Sequence, residues 1–175
     1  MIEIWCDGAA SDNGKVNSVG GYGYYIVEGN CIVELFGGQS IGATNQQMEL
    51  TAAIEALTLV KEKHRDDFFI APVKVYTDSA YLYRCYKENW WRAWQSNGWL
   101  NSKKEPVANK DLWEKLIPFF KDHSIEFIKV KGHADTFGNV VADKVAVAAK
   151  QKTLCELIDY CVALKKEIKE SLDYD

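Results

Sequence analysis

The hydrophobic pattern of this chain first changes period near residue 44, and that change does most to decide the fold class. Before it, side chains alternate. Ile2, Ile4 and Cys6 fall on one face of the opening run and Glu3, Trp5 and Asp7 on the other. The run therefore reads as a strand ending at the turn signal Asp7-Gly8. After a polar loop to Val19, two β-rich runs meet at Glu28-Gly29-Asn30, a hairpin signal. Three antiparallel strands in succession are the simplest account.

From Asn45 to Lys63 the period becomes about 3.6, with Met48, Ala52 and Leu59 at helical spacing and Thr44 or Asn45 available as N-cap. Glu49 lies in the first turns of that helix. Val73 to Thr77 is a short strand that ends at Asp78-Ser79, either of which can cap a helix from Tyr81 to Glu88. Trp90 to Trp113 reads as helix, loop and helix, punctuated by Asn97-Gly98 and Glu105-Pro106. A helix from Leu112 to Lys121 is expected to bend or end at Pro118. Ile125 to Val130 is the last strand, and Asn139 is a candidate N-cap for a helix through Lys150 that contains Asp143. Leu154, Leu157, Ile158, Cys161, Leu164 and Ile168 mark one stripe of a C-terminal amphipathic helix. The order predicts a mixed α/β (α+β) fold, a mixed sheet with three antiparallel strands first, flanked by helices, plus the extra C-terminal helix.

A chain of 175 residues, 47% of them hydrophobic, suits one domain with a short appendage. The N-terminus lacks the basic and apolar regions of a signal peptide, and no run reaches the length of a membrane span, so a cytoplasmic protein with no membrane partner is expected. Five scattered cysteines, Cys6, Cys31, Cys85, Cys155 and Cys161, suggest neither a disulfide framework nor a zinc site. The net charge of -4 argues mildly against nucleic acid, yet residues 84–131 hold ten Lys and Arg against six Asp and Glu. A local basic surface on an acidic protein is thus available. Five of the six tryptophans, Trp90, Trp91, Trp94, Trp99 and Trp113, lie in that stretch and are expected to pack mostly with one another.

Asp7 and Asp78 fall where strands give way to turns, and Glu49 and Asp143 near helix starts, so one end of a sheet could gather all four. Seven segments then occur in a telling order: Cys6-Asp7-Gly8, Gly20-Gly21-Tyr22-Gly23, Thr44 to Leu50, Tyr76-Thr77-Asp78-Ser79, Asn109 to Trp113, Val130-Lys131-Gly132-His133 and Asn139 to Asp143. From residue 1 to about 150 the chain resembles type 1 ribonuclease H. The resemblance implies a five-stranded mixed sheet, a catalytic domain over 1–150 and a helical extension over 151–175.

It also implies an endonuclease that hydrolyses the RNA strand of RNA-DNA hybrids with two Mg²⁺ or Mn²⁺ ions, leaving 5'-phosphate and 3'-hydroxyl ends. Asp7 would bridge both ions, Glu49 and Asp78 would complete one shell, and Asp143 would serve the other. Hard cations take oxygen ligands, and without metal four neighbouring carboxylates would repel and raise one another's pKa values. His133 matches the family's loop histidine, placed to relay a proton or help release product. Asn45 and Gln46 match minor-groove contacts, Thr44 and Asn109 residues that hold a DNA phosphate, and Trp90 an aromatic that packs on deoxyribose. The basic protrusion of such enzymes is thinned here to Gln95-Ser96-Asn97 with Arg92, Lys103 and Lys104 nearby, which predicts weaker, more salt-sensitive grip. A monomer is expected. Two other readings keep the fold: a catalytically silent hybrid-binding module, which the intact carboxylates oppose, and a nuclease acting on DNA, which Asn45, Gln46 and His133 do not support.

Overall fold

The structure is a computed structural model that describes residues 1–11, 15–64, 71–132 and 136–172. Strands β1 (Ile2–Ala10), β2 (Val19–Glu28) and β3 (Cys31–Ile41) are followed by α1 (Asn45–Lys63), β4 (Val73–Thr77), α2 (Ala80–Lys87), α3 (Trp90–Asn97), α4 (Lys110–Phe120), β5 (Ile125–Lys129), α5 (Phe137–Gln151) and α6 (Leu154–Leu172). The five strands form one sheet in the order β3-β2-β1-β4-β5. β1, β2 and β3 pair antiparallel, while β4 lies parallel to both β1 and β5.

Alternation along the strands supplies two apolar faces, and helices cover both. Ile2, Ile4 and Cys6 join Val73, Val75, Ile125 and Phe127 beneath α1 to α4, a core that includes Leu50, Leu57, Leu82 and Trp113. Trp94 stacks with Trp99 and packs on Trp90 and Trp113, so these tryptophans do form one aromatic cluster. On the opposite face Tyr25 and Leu35 pack under α5 and α6 with Val141, Val145, Leu157, Cys161, Leu164 and Ile168. The stripe expected on α6 is therefore spent within the chain, except that Leu154 and Ile158 stay exposed. All five cysteines are free thiols, with Cys31 and Cys155 exposed. No helix among the described residues is long and apolar enough to cross a membrane.

Three boundaries differ from the sequence reading. β1 does not stop at Asp7-Gly8 but pairs with β2 as far as Ala10↔Gly20, because Gly8 serves a close approach and not a turn. α5 starts at Phe137 with Thr136 as N-cap, so Asn139 is an interior helical residue, and it is buried. Pro118 sits inside the last turn of α4, where the helix persists two residues beyond it.

Candidate active site

The parallel pairing of β1 with β4 ends at Cys6↔Thr77, so Asp7, still paired with Gly23 of β2, and Asp78, just beyond β4, lie side by side. Trp5 and Tyr76, one register step earlier, stack with ring centroids 4.0 Å apart, which shows that this pair of positions shares a face. By alternation Asp7 follows Trp5 onto the same face. Asp143 arrives on that face from α5. Gly23, directly across from Asp7 in β2, carries the α5 backbone: a Cβ there would lie 2.5 Å from the Ala142 carbonyl oxygen. Glycine is thus what lets α5 settle low enough to bring Asp143 beside Asp7.

Glu49 comes from the other face by a similar device. A Cβ on Gly8 would lie 2.3 Å from the Glu49 backbone nitrogen, so the first turns of α1 rest on bare β1 backbone. Thr44 fixes that helix start with a capping box: its hydroxyl accepts from Gln47 N, and the Gln47 side chain accepts from Thr44 N at 2.8 Å. The Asn45 carboxamide ties the pieces together, accepting from Ala10 N at 3.1 Å and donating to Glu49 at 3.1 Å. Ser79 caps α2 by accepting from Leu82 N and donates its hydroxyl to the other Glu49 oxygen. Gly132 passes close to Asp78: a Cβ there would lie 3.0 Å from a carboxylate oxygen of that residue.

The electrostatics record the convergence. Asp7 is only 8% exposed. Burial first, then the charges of Asp78, Asp143 and Glu49, push its pKa up to about 8, against the lowering effect of the 2.7 Å bond from Gly8 N. Burial likewise raises Glu49, opposed by its bonds from Ser79 and Asn45 and by the charge of Lys129. Neighbouring Cys6 points into the core, donates to the Tyr76 carbonyl at 3.6 Å, and is held far above a usual thiol by burial, so it stays neutral. Among the described residues, no salt bridge reaches any of the four carboxylates.

Four oxygen-donor groups with no basic partner in contact among the described residues fit a hard divalent cation. Among the described residues, no three His, Cys, Asp or Glu side chains form a ready-made chelate for one ion.

The proposed substrate residues occupy a surface beside this cluster. Gln46 is exposed at the start of α1, and Thr44 and Asn45 are half-buried there. A groove lined by Gly42, Gln47, Asp111 and Leu112 joins that helix start to the start of α4. Asn109, in the left-handed region with φ of 58°, precedes α4 and makes no side-chain capping bond. Tyr81 and half-buried Trp90 line the next cavity. His133 lies outside the described residues. Gly23, Gly132 and the Ser79–Glu49 bond carry no local sequence signal, because each acts through a tertiary contact.

Over this geometry, the family model for RNase H matches residues 1–151. The chain belongs to the ribonuclease H family. Ribonuclease H of Symbiobacterium thermophilum is 43% identical over 148 residues, covering 85% of this chain and 93% of that protein. Ribonuclease H of Clostridium botulinum is 41% identical over 145 residues, 83% and 92% of the two chains. A foamy viral protease-reverse transcriptase, solved in complex with RNA/DNA hybrid, shares the ribonuclease H fold: TM-score 0.72 and 23% identity over 87% of this chain and 20% of that one. Helix α6 lies beyond the family match.

Proposed function

We propose that this ribonuclease H family member is an endonuclease that hydrolyses the RNA strand of RNA-DNA hybrids, leaving 5'-phosphate and 3'-hydroxyl ends. The observation that carries the reading is the meeting of Asp78, Glu49 and Asp143 around buried Asp7. Asp7, Glu49 and Asp78 would hold one Mg²⁺ or Mn²⁺, and Asp7 with Asp143 a second. Such ions, when bound, supply an activated water and neutralise charge on the leaving 3' oxygen.

The rest of the work falls to the chain. Ser79 and Asn45 fix both Glu49 oxygens in place, so that carboxylate needs little reordering when a cation arrives. Gln46, exposed at the edge of the cluster, is free to reach a 2'-hydroxyl in the minor groove, the group that separates RNA from DNA. Asn45 contributes there with whatever hydrogen-bonding capacity its structural bonds leave. Thr44 uses its oxygen as a cap but keeps its hydroxyl proton, which can go to a DNA phosphate. Asn109 and Trp90 continue the DNA-strand track across the start of α4 to α3. His133 would move a proton or speed product release. Residues 1–150 form the catalytic unit, 151–175 an extension that braces it through α6, and the protein works as a cytoplasmic monomer.

The test is cleavage of a labelled hybrid by Asp7→Asn and Asp78→Asn. Both variants should fold and lose cleavage by orders of magnitude. Cleavage that persists in either would sink the site.

A further inference from the structure

Lys129 closes β5 opposite Thr77, the last residue of β4, and by register its side chain shares the α1 face with Thr77. Thr77 in turn leads to the cluster: its hydroxyl accepts from Ser79 N at 3.1 Å, and Ser79 donates to Glu49. Val130 N donates to the Thr77 carbonyl at 2.9 Å, so the end of β5 is pinned beside the site. The exposed ammonium of Lys129 folds toward that end and donates to the Val130 carbonyl at 3.0 Å. Its charge reaches Glu49 without forming a salt bridge, and Glu49 keeps the hydrogen bonds from Ser79 and Asn45. An ammonium has three donors, and among the described residues only the Val130 carbonyl takes one. A positive charge with free donors, held next to an acid cluster that must admit a polyanion, is placed for an anionic oxygen of the substrate.

We propose that Lys129 binds a backbone phosphate of the nucleic acid beside the scissile one, on the Glu49 side of the cluster. This assignment rests on the hybrid-nuclease reading above. It gives the thinned protrusion a partial replacement: one fixed cation near the chemistry instead of several on a remote handle. Arginine at this position would serve as well, whereas a neutral side chain would not. A lysine acting only through Glu49 would alter turnover; one that holds phosphate alters binding and its salt dependence.

The experiment measures hybrid affinity by fluorescence anisotropy across salt concentrations for Asp7→Asn, which keeps the substrate uncut, alone and combined with Lys129→Ala or Lys129→Arg. Steady-state cleavage by the single Lys129 variants at saturating Mg²⁺ accompanies it. Lys129→Ala should weaken binding about fivefold and reduce the slope of log affinity against log salt by about 0.9, the value for one phosphate contact. Its KM should rise with kcat within about twofold of the parent, and Lys129→Arg should restore both affinity and slope. Unchanged affinity and slope, or a fall in kcat at unchanged KM, overturns the phosphate contact. Failure of the parent protein to bind or cut hybrid at all overturns the activity reading instead, so the two failures are distinct.

Discussion

Replacing Gly8 by alanine tests how the fold delivers Glu49 to the site. The added Cβ would meet Glu49 N at 2.3 Å, the Met48 carbonyl carbon at 2.5 Å and Met48 Cβ at 2.8 Å. Ordinary carbon contacts need about 3.5 Å, so the first turn of α1 must lift by about 1 Å. Two of these neighbours are backbone atoms, and Met48 is buried, so no flexible side chain can absorb the strain. Overpacking of this kind costs about 1–3 kcal/mol, which for a domain of this size lowers Tm by roughly 2–12 °C. The larger effect falls on catalysis, since a 1 Å misplacement of a reacting group costs about 100-fold in rate. Gly29→Ala is the matched control: Gly29 has φ of +59° but open space around it, so it loses stability without touching α1. Thermal melts and kcat on a hybrid substrate should show both variants destabilised and only Gly8→Ala crippled. Parental kcat in Gly8→Ala, or equal losses in the two, would refute the argument.

Other outcomes follow from the same structure. Folded and metal-free, Asp7 keeps its proton to about pH 8, whereas its ordinary value is 3.8. Between those values the folded state holds a proton that the unfolded state has released, so this group makes stability fall as pH rises from about 4 to 8. Melts in chelator should show that decline, Asp7→Asn should flatten it, and millimolar Mg²⁺ should raise Tm more at pH 8 than at pH 5. A Mg²⁺ shift independent of pH would contradict the assignment. Leu157→Ala, at a fully packed position of α6, should cost about 2–4 kcal/mol by denaturant melts while leaving kcat unchanged. A loss of kcat at full stability would instead give α6 a role in the chemistry.

The period change near residue 44 is enough to separate the antiparallel meander from the helix-strand alternation, and the capping signal at Thr44 is realised in full. Asp7-Gly8 misleads because glycine has two uses. Its local sequence resembles a turn, whereas its actual function is to admit α1, a tertiary fact with no local signature. Asn139 misleads in a similar way, being a good capping residue that the helix absorbs because α5 begins two residues earlier without a side-chain cap. The four carboxylates could be named from their blocks, but their meeting depends on the Cys6↔Thr77 register and on the α5 backbone lying over Gly23. Neither is written in periodicity. Lys129 is invisible for the same reason, since only pairing with Thr77 places an otherwise ordinary strand-end lysine beside Glu49.

Chemistry at the carboxylate cluster is open to one direct assay. The purified chain is given the same sequence as RNA-DNA hybrid, duplex DNA and duplex RNA, with Mg²⁺ or with excess chelator. The expected result is cleavage of the RNA strand of the hybrid alone, with 5'-phosphate ends, abolished by chelator and restored by added metal. Cleavage that survives chelation, or that proceeds equally on duplex DNA, would contradict it.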